Sequence, residues 1–361
     1  MKYIGQTDFS HQQQPKIGVL VTNLGTPEAP TPKALRKYLG QFLADPRVVE
    51  VPRILWRCIL HGVILRIRPR RSAAAYKTVW TDEGSPLMTH TQAQCDALTK
   101  TLRKVYGSNM IVAFAMRYGE PSIKSTLETM QQQGVRRLLV LPLYPQYSAA
   151  TTGSTFDAVA EDFMRRRWLP DFRFISHYHD YPPYIEALAA SIEAHWKVHG
   201  RADKLLMSYH GVPFRYLKNG DPYHCECHKT SRLLAERLSL PKEAYITTFQ
   251  SRFGREEWLK PYTDHTLKNF PEQGVRSVQV VCPGFSSDCL ETIEEIGEEN
   301  REYFMGSGGE RYEYIPALNA TEPHIAALTQ LIQHQLQGWA TPESNAGDIT
   351  QHHYENAEAV K

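Results

Sequence analysis

A single histidine at the end of an apolar run is the first candidate for chemistry. The run 205–209 predicts a buried strand, and His210 follows it directly in the order Tyr-His-Gly-x-Pro. Gly211 and Pro213 favour a tight turn that projects the imidazole from the strand end. A neutral imidazole accepts a proton near pH 7 or ligates a metal ion. The alternative for a lone histidine at this position is a purely structural role.

Carboxylates at helical spacing follow a second apolar run, residues 278–282. At steps of three and four residues they share one predicted helix face: Asp288, Glu291, Glu295 and Glu299. Like charges at this spacing repel by about 0.2–0.5 kcal/mol per pair, so three turns of them cost stability unless something compensates. Two interpretations remain open, a solvated acidic face and a hydrated path for protons or a divalent metal.

The cysteines give a weaker signal. Cys225 and Cys227 stand in the run Cys-Glu-Cys-His, and no pair in the chain has the C-x-x-C spacing of zinc sites. Cys225 and Cys227 are therefore candidate ligands of an iron–sulfur cluster, with free buried thiols as the alternative. Phosphate-binding loops such as G-x-x-x-x-G-K-[ST] do not occur, which argues against a nucleotide cofactor.

Composition restricts the class of protein. The 361 residues are 42% hydrophobic with a net charge of +2, which is typical of a globular chain with one large or two medium domains. The charge is too balanced for nucleic acid to be the main partner. Six cysteines do not suggest a disulfide framework, and the first residues carry no apolar export signal. We therefore expect a cytoplasmic protein.

Short apolar runs alternate with helical patterns along the chain. The predicted strands are 17–22, 110–115, 138–143, 172–176, 205–209, 245–249 and 278–282. Thr31 and Pro32 predict a helix start, and Gly134 and Gly200 predict helix ends. Such alternation favours a doubly wound α/β fold with parallel sheets, in which ligands bind at the carboxyl ends of the strands.

The pattern runs twice. Residues 21–27 resemble 207–213, and residues 141–148 resemble 281–287. The repetition predicts two similar flavodoxin-like or Rossmann-like lobes with a cleft between them, and the cleft is the expected site. The expected division begins with a flexible N-terminus (1–15), a first lobe (16–168) and a second lobe with His210 and the acidic helix (169–320). A C-terminal helix packing back on the first lobe (321–340) and a disordered tail (341–361) are expected to follow.

Residues 41–67, which we call the lip segment, contain an unusually apolar stretch. Its second half carries nine large apolar residues between Ile54 and Ile67 and leads into four arginines at 66, 68, 70 and 71. One interpretation is core packing. The other is an apolar rim that touches a membrane surface or holds a flat apolar substrate.

Four motifs, taken in order, give this chain a specific resemblance. They are Tyr144–Ser148 with Thr151–Ser154, Ser208–Pro213, Gly220–Tyr223, and Phe285–Asp288 with Glu291 and Thr292. Over residues 16–338 the chain resembles the bacterial ferrochelatases, lyases of the class II chelatase fold that insert Fe²⁺ into protoporphyrin IX to give protohaem at the end of haem biosynthesis. The resemblance implies iron and porphyrin as partners, release of two protons, and peripheral contact with the inner membrane face.

The resemblance also implies roles for residues. His210 and Glu291 would be catalytic and metal-binding, with Asp288, Glu295 and Glu299 forming a path for protons or metal. Porphyrin-contacting positions would be Leu24, Tyr76, Ser85, Arg117, Tyr144 and Trp258. The cysteine-ligated cluster of the animal enzymes cannot form, because Ala149 and Ala150 occupy its first stretch and no cysteine follows Cys289. The alternatives are a non-catalytic two-lobed haem or metal binder, and a chelatase for coproporphyrin or another tetrapyrrole.

Overall fold

Two parallel four-stranded sheets form the scaffold of the computed structural model, which describes residues 3–5, 14–254 and 256–339. The first sheet has the order β2-β1-β3-β4, with strands Lys16–Gly25 (β1), Met110–Tyr118 (β2), Val135–Pro142 (β3) and Asp171–Phe174 (β4). The second has the order β6-β5-β7-β8, with strands Lys204–His210 (β5), Tyr245–Gln250 (β6), Ser277–Val281 (β7) and Arg311–Ile315 (β8). The predicted two-lobed α/β fold is confirmed.

The internal repeat is visible in the topology. β1 and β5 occupy the same place in their sheets, as do β3 and β7, and these are the strands whose ends the sequence repeat matched. Each order is the beginning of the flavodoxin-like 2-1-3-4-5 arrangement. The strand β8 was not predicted, because Arg311 and Glu313 break its apolar pattern at the sheet edge.

Helices cover both faces of each sheet. The α-helices are Pro32–Phe42 (α1), Arg53–Ile59 (α2), Leu65–Val79 (α3), Pro86–Tyr106 (α4), Ile123–Gln132 (α5), Ser154–Phe163 (α6), Pro182–His199 (α7), Phe214–Lys218 (α8), Tyr223–Arg237 (α9), Thr263–Asn269 (α10), Asn300–Gly306 (α11) and Glu322–Gln335 (α12). Thr31 caps α1 by accepting from the amide of Ala34, as its sequence predicts. Gly200 ends α7 at φ 72°, where glycine is favoured.

One apolar layer is shared by the two sheets. Val19 and Leu139 of the first sheet belong to the same buried cluster as Leu205 and Met207 of the second. The helices α4, α7 and α12 contribute Leu98, Leu188 and Leu328 to this cluster. Leu20 and Leu206, which point to the opposite faces of their strands, lie in separate clusters under the outer helices.

The lip segment runs through α2, a π-helical turn Leu60–Ile64, and into α3. Trp56 and Leu60 are buried, and the Trp56 indole N–H donates to the carbonyl of Leu43 at 2.6 Å. The opposite side leaves five large apolar side chains exposed: Ile54, Leu55, Ile59, Val63 and Ile67. The stretch therefore packs into the core on one face and presents apolar side chains on the other. No helix within the described residues has the length and apolar character needed to cross a bilayer.

Candidate active site

A cavity of about 380 Å³ lies where the carboxyl ends of the two sheets meet. It is within the usual size range of ligand pockets and is bordered by both lobes and by the lip segment. Eight of the residues expected at the site line it: Leu24, Tyr76, Ser85, Tyr144, His210, Glu291, Glu295 and Glu299.

His210 ends β5 beside Gln250 of β6. The turn that follows it orients the imidazole ring. Nδ1 lies 2.6 Å from the carbonyl oxygen of Gly211, so Nδ1 carries the hydrogen that is donated to that oxygen. In this tautomer Nε2 has the free lone pair. The geometry therefore presents the histidine of the cavity wall as a proton acceptor or metal ligand.

The turn after His210 requires glycine. A Cβ on Gly211 would lie 2.7 Å from the carbonyl oxygen of Gln250 and 3.1 Å from the Trp258 ring. The Gly211 amide donates to that same carbonyl at 2.7 Å. This close approach of two backbones fixes the direction in which the imidazole leaves the strand.

The acidic residues lie on a π-helix, Glu291–Glu299, instead of the expected α-helix. At its end the amide of Asn300 donates to the carbonyl of Glu295, five residues back. Glu291, Glu294, Glu295 and Glu299 still line the cavity together. The ladder therefore borders the cavity, although Glu299 is exposed at its outer end.

Glu295 is the most perturbed carboxyl of this ladder. Burial, with the nearby charge of Glu291 as a further cause, raises the pKa of Glu295 to about 7. Hydrogen bonds from Ser251 and from the Gln250 side chain act in the opposite direction. A carboxyl with such a pKa exchanges protons near neutral pH.

Asp288 does not line the cavity. Its carboxylate accepts hydrogen bonds from Tyr314 (2.6 Å), Asn319 (2.7 Å) and Thr292 (2.9 Å). None of the three donors lines the cavity, and together they engage both carboxylate oxygens. Asp288 therefore anchors the loop that precedes the acidic helix and is not brought into the ladder.

Arg117 also lies outside the lining. Its guanidinium donates to Asp45 at 2.6 Å and to the hydroxyl of Ser154 at 2.6 Å, and the buried Asp45 carboxylate also accepts from Tyr118. A buried carboxylate needs such a partner, so this arginine is already committed. The structure does not offer it to a substrate carboxylate.

Trp258 is buried next to Gly211 and stacks at a tilt on Phe253, with ring centroids 4.9 Å apart. It supports the turn after His210 and does not line the cavity. Cys225 is exposed and Cys227 is buried, because residues two apart on the helix α9 point in nearly opposite directions. The structure therefore does not bring together the two thiols that the sequence suggested as cluster ligands.

Several lining residues were not predicted. They are Tyr38, Arg68, Gln146, Tyr223 and Phe253, whereas Phe42 lies in the lip segment, which was expected to form a rim. Burial raises the pKa values of Tyr38, Tyr76 and Tyr144 well above the usual range, so these phenols stay neutral. Ser251 follows β6 directly, and this position at the carboxyl end of a strand was the signal that could have identified it.

Comparison with known proteins gives consistent results. The family description "Ferrochelatase" matches residues 16–336. A ferrochelatase from Idiomarina loihiensis is 69% identical over 361 residues, covering 100% of this chain and 98% of that protein. A ferrochelatase from Marinobacter nauticus is 67% identical over 351 residues, covering 97% and 95%.

A solved structure of SirB from Bacillus subtilis with Fe³⁺ shares the fold. Its TM-score is 0.52 at 12% sequence identity, with 90% of this chain and 98% of that chain covered. At this identity the likeness concerns the fold alone. The family match and the curated relatives, in contrast, extend over nearly the full chain and confirm the resemblance that the motifs indicated. This chain belongs to the ferrochelatase family.

Proposed function

We propose that this chain inserts Fe²⁺ into protoporphyrin IX in the cavity between the lobes, with His210 and Glu291 as its catalytic pair. The observation that carries the assignment of roles is the shared cavity. An imidazole with a free Nε2 and a ladder of carboxylates border one space that is otherwise lined largely by aromatic and aliphatic side chains.

The chemistry requires two protons to leave as one cation enters. The two pyrrole N–H bonds break, and the four ring nitrogens bind Fe²⁺, so charge is conserved. Nε2 of His210 accepts a proton from the ring. Glu291 receives the other or guides the cation, and Glu295 and Glu299 continue toward solvent. With a pKa of about 7, Glu295 both takes up and releases protons at neutral pH.

Tyrosine and leucine side chains would hold the macrocycle. Leu24, Tyr76 and Tyr144 line the cavity and offer apolar surface to a flat ring, while Ser85 adds a hydroxyl. Holding the ring in a bent form exposes nitrogen lone pairs on one face and promotes metal entry, with the strain supplied by contacts remote from the nitrogens.

The lip segment would contact a membrane surface. Ile54 and Ile67 are 83% and 70% exposed, and Arg66 and Arg70 are exposed within one helical turn of Ile67. Apolar side chains next to cations suit the interface of an anionic leaflet. A location on the inner face of the membrane would bring the chain to its poorly water-soluble substrate and product.

The test is an anaerobic insertion assay with ferrous iron and protoporphyrin IX, followed by the Soret band of the product. We expect turnover by the natural chain and at least a 100-fold decrease in His210→Ala and in Glu291→Gln. His334→Ala, an exposed histidine on α12, is the matched control and should retain activity. Full activity of both cavity variants would refute the assigned roles. Faster turnover of coproporphyrin would instead favour that substrate, and tight haem retention without insertion would favour the non-catalytic binder.

A further inference from the structure

Two histidines and a glutamate converge outside the cavity. His177 and His179 lie in the segment after β4, and Glu226 lies in the first turn of α9. One potential ligand atom from each lies within 4.8 Å of the other two. None of the three lines the cavity, and the ferrochelatase chemistry proposed above does not use them.

The histidines face the same carboxylate. Nδ1 of His177 lies 2.7 Å from Oε1 of Glu226, and Nδ1 of His179 lies 3.3 Å from Oε2. His179 is 94% buried by side-chain and backbone area together, and its Nδ1 has no solvent contact and forms no hydrogen bond. A buried ring nitrogen without a hydrogen bond costs free energy, and a cation held between this nitrogen and the carboxylate would remove that cost.

We propose that His177, His179 and Glu226 form a second metal site, for a divalent first-row cation such as Zn²⁺. Two imidazole nitrogens and one carboxylate oxygen suit Zn²⁺, Co²⁺ or Fe²⁺ better than Mg²⁺ or Ca²⁺, which favour all-oxygen sites. Ligand atoms of a tetrahedral zinc site are about 3.4 Å apart, so a small movement of the half-exposed His177 closes the set. The cation replaces the hydrogen between His177 and Glu226.

Neighbouring groups already orient the ligands. The Tyr147 amide donates to Oε2 of Glu226 at 2.7 Å, and the hydroxyl of Thr230 donates to the His179 carbonyl at 2.8 Å. The same hydroxyl accepts from the Gln146 side chain at 3.0 Å, and Gln146 lines the cavity. Such outer contacts fix the positions of metal ligands. The cation thus links the segment after β4 to α9, and through Glu226 and Tyr147 also to the segment after β3. All three lie next to one wall of the cavity.

A second cluster, His195, His199 and Glu313, is less suitable. Its glutamate already accepts from Gln279 at 2.6 Å and lies 3.9 Å from the guanidinium of Arg311. The nearby cation disfavours metal binding, and Nε2 of His195 already has a hydrogen-bond partner in Glu313 at 3.1 Å. This cluster therefore provides the matched control.

The experiment uses the full chain with His210→Ala and Glu291→Gln, so that the cavity does not compete for metal. Titration with Zn²⁺ by calorimetry and with Co²⁺ by visible absorption should give one equivalent, and Zn²⁺ should raise the melting temperature. Adding His177→Ala should weaken binding at least 10-fold, and adding His179→Ala at least 100-fold, with the thermal shift lost. Adding His195→Ala should change neither the Zn²⁺ affinity nor the thermal shift.

His177→Ala removes a half-exposed ring, so this variant tests the site even where His179→Ala fails to fold. Unchanged Zn²⁺ affinity in His177→Ala, or loss of binding in the His195→Ala control, would overturn the proposal. The result does not depend on insertion activity, because the background variants are already impaired in the cavity.

Discussion

The side-chain amide of Gln250 donates a 2.9 Å hydrogen bond to the main-chain carbonyl of Glu291. The main-chain carbonyl of Gln250 accepts from the amide of Gly211 at 2.7 Å, directly after His210. One residue at the end of β6 thus fixes both the turn that carries the imidazole and the first turn of the acidic helix. Gln250 is a positioning residue for the proposed catalytic pair.

Replacing Gln250 with alanine should lower kcat about 10-fold or more with little change in KM, because the substrate surface is intact. Alanine keeps the main-chain contact to Gly211, so only the first turn of the acidic helix loses its support. Loss of its contact at 3.4 Å to Glu295 should also raise the pKa of that carboxyl further, since this hydrogen bond lowers it. The pH–rate profile should therefore shift to higher pH.

The matched control for that variant is Gln279→Ala. Gln279 is equally buried in β7 and bridges Trp196 and Glu313 away from the cavity. Its removal should reduce stability without moving the pH profile. Identical profiles for the Gln250 variant and the natural chain would contradict the positioning role.

Stability should depend on pH through Glu295. The folded pKa of about 7 lies above the ordinary 4.5, so between these values the folded state binds more protons and stability falls as pH rises. The penalty is complete above pH 7 and is on the order of 1.4 kcal/mol per pKa unit. Glu295→Gln should remove it. In urea unfolding, the free energy of unfolding of the variant relative to the natural chain should be higher at pH 8 than at pH 5. The same difference at both pH values would contradict this.

Asp288 should matter for stability and not for chemistry. In Asp288→Asn an NH₂ group faces the donors Tyr314 or Asn319, which should cost about 1–3 kcal/mol in the free energy of unfolding. The kcat of the folded fraction should stay within a few-fold of the natural value. Asp203→Asn, which removes a carboxylate acceptor of two backbone amides far from the cavity, is the control. A loss of kcat comparable to that of Glu291→Gln would return Asp288 to the acidic path.

Membrane contact should depend on the lip segment. Ile54→Ser with Ile67→Ser should reduce co-sedimentation with vesicles rich in anionic lipid several-fold, since two exposed apolar anchors are removed. Val198→Ser, 77% exposed at the end of α7, is the matched control and should bind as before. Equal binding by all three proteins would exclude the lip segment as the contact.

The sequence predicted what depends on local pattern. Apolar runs located seven of the eight described strands, and the repeat between the ends of β1 and β5 revealed the two lobes. The sequence did not predict the π-helix at Glu291–Glu299. Hydrogen bonds that span five residues instead of four leave no mark in the pattern of residue types.

Contacts between distant parts of the chain also escaped prediction. Arg117 is engaged by Asp45, 72 positions away, so its sequence context could not show that its guanidinium is occupied. The packing of Trp258 against Gly211 likewise joins distant positions, so the sequence around Trp258 could not show it. His177 and His179 reach Glu226 only because α9 packs beside the segment after β4.

The apolar layer common to both sheets restricts how a macrocycle enters and leaves. Swinging the lobes apart would break up this shared cluster and expose part of its apolar surface to water, at roughly 25 cal/mol for each Å² uncovered. A jaw-like opening is therefore disfavoured. Entry of substrate and exit of product should instead use local rearrangement of the rim, where α1 and α3 border the cavity.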